Sequence, residues 1–172
     1  MKLEKLASLV NTKGRKPATL AQIEEFERNI GYKLPKDYAH FLTLTVGGQL
    51  TPAPFYKLGS LYEGVLCLLG LDDKEKPSPE DSLKEEIKNP GFYPLPSGLL
   101  NIGSDTSGNP ISICLTEDRF GEIFINDHEL FSFDNDLKET IEEAEEYGLA
   151  MLVAPSFSSF IEMLALYNKD ME

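Results

Sequence analysis

The sequence predicts an α+β domain: one mainly antiparallel sheet of about five or six strands with helices packed against it. Two patterns carry this. Helical apolar stripes lie early and late in the 172-residue chain, and strand signals lie between them. The strand runs are separated by short turn clusters, not by the helices that a wound βαβ fold requires. Composition agrees, with 41% apolar and 26% charged residues. A chain of this length buries roughly 70% of its unfolded surface without a disulfide or metal.

The opening MKLEKLASLV sets Leu3, Leu6 and Leu9 or Val10 at helical spacing. Glu4 and Lys5 interrupt it, so it lacks the unbroken apolar stretch of about 7–15 residues found in a signal peptide. No apolar run reaches the roughly 18 residues of a membrane span. A cytoplasmic location is expected. The next helix spans 20–30: Thr19 is its N-cap, Gln22 completes a capping box, and Leu20, Ile23, Phe26 and Ile30 form one stripe. Gly31 ends it in left-handed geometry. Pro35 suits the first turn of a following helix and Asp37 the positive end of its dipole. Tyr38, Phe41, Leu42 and Thr45 or Val46 make its buried side, and Gly47-Gly48 stops it.

Pro52 and Pro54 mark a loop, and 64–71 reads as a buried strand bounded by glycines. Residues 72–96 form a long polar loop with five prolines and one short helix near 80–88, capped by Ser78. Strand signals follow at 99–102, 111–115 and 122–126, joined by turns at 104–109 and 118–121. Asp136 then caps a helix over 137–147, with Leu137, Ile141, Ala144 and Tyr147 inward and glutamates outward. Residues 150–154 lead to Pro155, and Ser156 caps a last helix built on Phe157, Phe160, Ile161, Leu164 and Tyr167.

Charge is distributed unevenly. The net charge is −13. Residues 1–86 carry 12 basic and 13 acidic side chains, a net of −1; residues 87–172 carry 4 and 16, a net of −12. Within 117–146, 12 acids face only Arg119 and Lys138. Such a block repels phosphates, so direct nucleic-acid binding is not expected. It attracts a basic partner and speeds its arrival. The candidate partner-binding residues are the helix face Glu139, Glu142, Glu143 and Glu146, with the neighbouring Asp127, Glu129, Asp134 and Asp136.

Catalytic and metal patterns are weak. Cys67 and Cys114 sit in apolar runs, outside any C-x-x-C, and read as core residues. His40 and His128 lack a second ligand at metal spacing and suit surface or capping roles. The serines of APSFSS lack the flanking glycines of a nucleophile elbow. Residues 105–109 resemble a calcium loop, but Pro110 stands where glycine is needed and no Glu closes it. No phosphate-binding glycine loop is present. Neither cofactor nor metal is expected.

Four stretches together resemble one family. Ile23-Glu24-x-x-Glu27-x-x-Ile30-Gly31-x-x-Leu34-Pro35-x-Asp37-Tyr38-x-x-Phe41-Leu42 is similar to the signature of the SUKH superfamily. Ile102-Gly103-x-Asp105-x-x-Gly108-Asn109 resembles that family's turn between strands. Gly121-x-Ile123-x-x-x-Asp127-His128 resembles its Gly-x-Val and Asp-His-Glu strand, and Ala154-x-Ser156-Phe157-x-x-Phe160 its closing helix. Val46-Gly47-Gly48 keeps the glycines of the family's Asn-Gly-Gly and loses the asparagine. The resemblance implies one SUKH-like domain over 1–172, with a helical extension at 1–18, the long loop at 72–96 and an inserted acidic helix at 136–148. It also implies a non-enzymatic protein. The expected function is an immunity protein that binds and neutralises a cognate, basic nuclease toxin of a bacterial polymorphic toxin system. The alternative is a scaffold or regulator of cell-wall synthesis, as in the family's fungal branch. Neither reading calls for contact with nucleic acid or membrane.

Overall fold

The computed structural model of the chain describes residues 1–12, 14–71, 82–88, 95–130 and 140–167. Among them, six helices surround one seven-stranded antiparallel sheet. The first helix, α1 (Leu3–Ala7), covers only part of the expected extension, and Leu6, Leu9 and Val10 are buried. Helix α2 (Leu20–Ile30) keeps the expected bounds. Its capping box is closed: Thr19 Oγ1 accepts the Gln22 amide at 3.3 Å and Gln22 Oε1 accepts the Thr19 amide at 2.8 Å. Gly31 caps the other end at φ 76°. Leu20, the first residue of the helix, is 70% exposed and lies outside the buried stripe of Ile23 and Phe26.

Helix α3 (Lys36–Leu44) starts at Pro35, which is the N-cap residue, and buries Tyr38, Phe41 and Leu42 completely. Its apolar face meets α6 (Phe157–Met163), whose N-cap Ser156 Oγ accepts the Ser159 amide at 3.1 Å. Tyr38 and Phe41 pack on Phe157 with ring centroids 5.0 and 5.3 Å away. All six of Leu34, Tyr38, Phe41, Phe157, Phe160 and Leu164 are core residues. Tyr167 is not; it lies beyond the helix and is 55% exposed.

The strands run β1 (Gly48–Gln49), β2 (Phe55–Leu58), β3 (Leu61–Leu68), β4 (Leu99–Asp105), β5 (Pro110–Cys114), β6 (Ile123–Asn126) and β7 (Ala150–Ala154). They lie in the order β1-β3-β4-β5-β6-β7, with β2 also paired to β3. Three differences from the sequence reading stand out. The strand expected at 64–71 begins three residues earlier, because β2 folds back on it through a hairpin. The loop assigned around Pro52 and Pro54 gives way at once to β2. The run 150–154 is a strand between two helices, so elements are less segregated along the chain than the sequence suggested.

The sheet has two unequal faces. On one, α1, α2, α3 and α6 cover Ile102, Ile111, Ile113, Ile123 and Ile125. On the other, α5 (Ile141–Glu146) seals a small cluster of Cys114, Phe124, Ile141, Ala144, Leu149 and Ala150. Among the described residues this helix comprises Ile141–Glu146. Thr140 is extended (φ −126°, ψ 157°) and its hydroxyl accepts the Glu143 amide at 3.2 Å, so Thr140, not Asp136, is the N-cap. Tyr147 follows the helix and is exposed. Asp136 and Leu137 lie outside the described residues, as do Ser78 and Glu80; the short helix there, α4, spans Leu83–Lys88. No helix among the described residues is long and apolar enough to cross a membrane.

Candidate functional site

The family-like residues hold the fold together. Glu27 is buried: its Oε1 accepts the Leu34 amide at 2.9 Å and its Oε2 meets Lys33 Nζ at 2.6 Å. The carboxylate thus ties the end of α2 to the turn that launches α3. Asp37 Oδ2 accepts the Ser158 amide at 2.7 Å, joining the first turns of α3 and α6. Tyr38 donates its hydroxyl to the Leu69 carbonyl at 3.3 Å. Gly47 has φ 74°, and a Cβ there would stand 2.2 Å from the Gly70 nitrogen, so two backbones touch.

Asp105 is fully buried and organises the β4–β5 turn. It accepts the Ser107 and Asn109 amides at 3.0 and 2.8 Å, the Asn109 side-chain amide at 2.9 Å and the Tyr56 hydroxyl at 3.1 Å. Burial, and then this carboxylate, push the Tyr56 phenol well above its usual range. Asn109 Oδ1 in turn lies 2.8 Å from His128 Nδ1 and accepts the His128 amide at 3.2 Å. Two of the sequence stretches, around 105–109 and 127–128, therefore meet to fasten the end of β6. His40 is exposed on α3. Cys114 is buried as expected; Cys67 is only half-buried, with its Sγ 3.3 Å from Ser104 Oγ, because it lies outside the cluster that α5 covers around Cys114. Among the described residues, no group of three or more His, Cys, Asp or Glu side chains is placed to hold a metal ion.

The acidic segment divides into a neutralised part and an exposed part. Arg119 donates to Glu122 at 2.7 Å and to both oxygens of Glu145, at 2.5 and 3.2 Å. Its guanidinium also lies 4.8 Å from the Phe124 ring centroid. These bonds, led by that to Glu145, raise its pKa further above the ordinary arginine value and pin α5 to the β5–β6 turn. Glu145 is thereby structural. Of the candidate residues, Glu142, Glu143 and Glu146 are exposed on α5, while Ile141 and Ala144 face inward. Asp127 is half-buried, and its Oδ1 accepts the Glu129 amide at 2.9 Å and the Leu130 amide at 3.3 Å; Glu129 is exposed. The Asp127 amide donates to the Leu149 carbonyl at 2.9 Å, which brings this turn beside the end of α5. Asp134, Asp136 and Glu139 lie outside the described residues.

A family model described as SMI1 / KNR4 family (SUKH-1) matches residues 17–163. The chain belongs to the SUKH-1 family. No curated protein and no solved structure matches it. The SUKH-1 match covers every fold-holding residue above, and it supports an immunity or regulatory role. What sequence reasoning missed is the apolar part of the acidic end. Leu130, Tyr147, Met151 and Leu152 are 53, 57, 45 and 43% exposed. The run AMLVA between Gly148 and Pro155 carried the signal, a short apolar stretch bounded by turn residues.

Proposed function

We propose that this SUKH-1 protein is an immunity protein that binds a basic nuclease toxin and blocks it. The observation that carries the reading is the exposed acidic end: Glu129, Glu142, Glu143 and Glu146 open to solvent, interspersed with exposed Leu130 and Tyr147. Charge of one sign steers a partner of the other and fixes register, while aromatic and aliphatic groups within it supply contact energy. A nuclease needs an electropositive cleft for phosphates, and an acidic protein surface can occupy that cleft in their place. Family membership supports the same role, with regulation of cell-wall synthesis as the alternative.

The test is co-expression with any toxin domain found encoded beside the gene. The proposal expects growth to be restored and a stable complex to be purified. Unrelieved toxicity from such a domain, together with altered cell-wall assembly on deletion of the gene, would favour the regulatory role.

A further inference from the structure

Among the described residues, strand β7 ends the sheet. Among the described residues it pairs only with β6, through Ile125↔Met151, Phe124↔Leu152 and Asn126↔Ala150. An edge strand presents unpaired N–H and C=O groups, and proteins usually guard such edges with charge, proline or bulges. β7 reads AMLVA and carries no charge. Its guards stand at one end only: the register irregularity near Val153 and Pro155 beyond it. The half from Ala150 to Leu152 is regular.

Two exposed side chains define what fits there. Directly opposite residues of an antiparallel pair share a face of the sheet. Met151 opposes Ile125, of the main core, and Leu152 opposes Phe124, of the smaller cluster under α5. They therefore lie on opposite faces, yet both remain more than two-fifths exposed. A helix laid on either face covers one of them. A strand added in the plane of the sheet covers both and also pairs the backbone groups of β7 that face away from β6.

Charge selects the occupant. Helix α5, which packs on β7, exposes Glu142, Glu143 and Glu146. A second copy pairing β7 to β7 would bring two such faces together, from halves of the chain that each carry a net of −12. Like charges so placed oppose association. We propose that the outer edge of β7 receives an extended, basic segment of the partner protein as an added antiparallel or parallel strand. This rests on the reading above that the partner is basic. It adds where the contact is made and in what conformation.

The test uses a short peptide of alternating Lys and Val, with a same-composition control carrying a central Pro. Binding is followed by NMR through amide shifts and amide hydrogen exchange of the full chain. The expected result is slowed exchange at 150–152, shifts confined to β7, β6 and α5, and no binding of the proline peptide. Changing Met151→Lys with Leu152→Lys should weaken binding roughly tenfold or more. The charge-matched pair Leu61→Lys with Leu66→Lys, at exposed sites on β3, should weaken it far less. Both edge side chains are already exposed, so circular dichroism should show the fold retained. Three results overturn the inference: shifts mapping elsewhere, equal losses in the two double variants, or concentration-dependent self-association that protects β7. If the edge variant still neutralises the toxin as wild type does, the edge is not the site while the immunity function stands. If wild type does not neutralise it, that function falls, and the peptide result alone decides the edge.

Discussion

Removing the Glu27 carboxylate should cost the protein about 2–3 kcal/mol of stability, and replacing its ionic partner should cost almost nothing. Glu27 is 9% exposed, and its Oε1 is the acceptor for the buried Leu34 amide. Glu27→Ala leaves that N–H unpaired, a desolvation cost of about 1–3 kcal/mol, and removes a charge-assisted bond. Lys33 is different: its side chain is 76% exposed, so its 2.6 Å contact with Glu27 is a surface pair worth about 1 kcal/mol at most. Glu27→Gln keeps an acceptor for Leu34 and should lose about 1 kcal/mol. Urea unfolding of the wild type and the three variants measures this order directly. If Lys33→Ala destabilises as much as Glu27→Ala, the residue acts through its ion pair, and the account of the α2–α3 turn is wrong.

Phe41→Ala and Phe160→Ala, both at fully buried rings, should each cost about 3–5 kcal/mol, read from the same denaturant curves. Tyr38 and Tyr56 should make the fold sensitive to alkali. Burial holds both phenols above their ordinary 10.0, so their contribution is complete below pH 10 and is lost as pH rises beyond it, where only the unfolded chain ionises them. Thermal melts across that range should fall less steeply in Tyr56→Phe, and phenolate absorbance of the folded protein should stay below the value for all seven tyrosines. Arg119→Ala should destabilise by about 1–2 kcal/mol through loss of the bidentate bond to Glu145 and the stacking on Phe124. Hydrogen exchange in α5 should speed up in that variant.

Much of the fold was legible because local signals agreed with tertiary ones. Thr19 with Gln22, Gly31, and the stripe Tyr38-Phe41-Leu42 each mark a boundary or a face by chemistry that needs no distant partner. Where reading failed, a distant partner decided. Phe55–Leu58 became a strand because β3 folds back on it, which the two nearby prolines concealed. Residue type alone points to Asp136 as the cap of the acidic helix, whereas the extended backbone and hydroxyl of Thr140 are what cap α5. The candidate surface was legible as charge and not as shape. Counting acids could not show that Arg119 consumes Glu122 and Glu145, since that pairing depends on α5 lying beside the β5–β6 turn. Nor could it show that Met151 and Leu152 sit on an edge, which is a property of strand order across the whole sheet.

The central claim is that an acidic surface recruits a basic toxin, and the association rate tests it most directly. Wild type and a variant with Glu142, Glu143 and Glu146 changed to Gln should be mixed with the toxin domain at low and at physiological salt. Gln keeps shape and helix propensity nearly constant, so charge alone is altered. Steering of this kind is screened over a Debye length of about 8 Å at physiological ionic strength. The account predicts that the wild-type rate falls steeply with salt, that the variant associates more slowly at low salt, and that dissociation changes little. Equal association rates for the two proteins at both salt concentrations would contradict it.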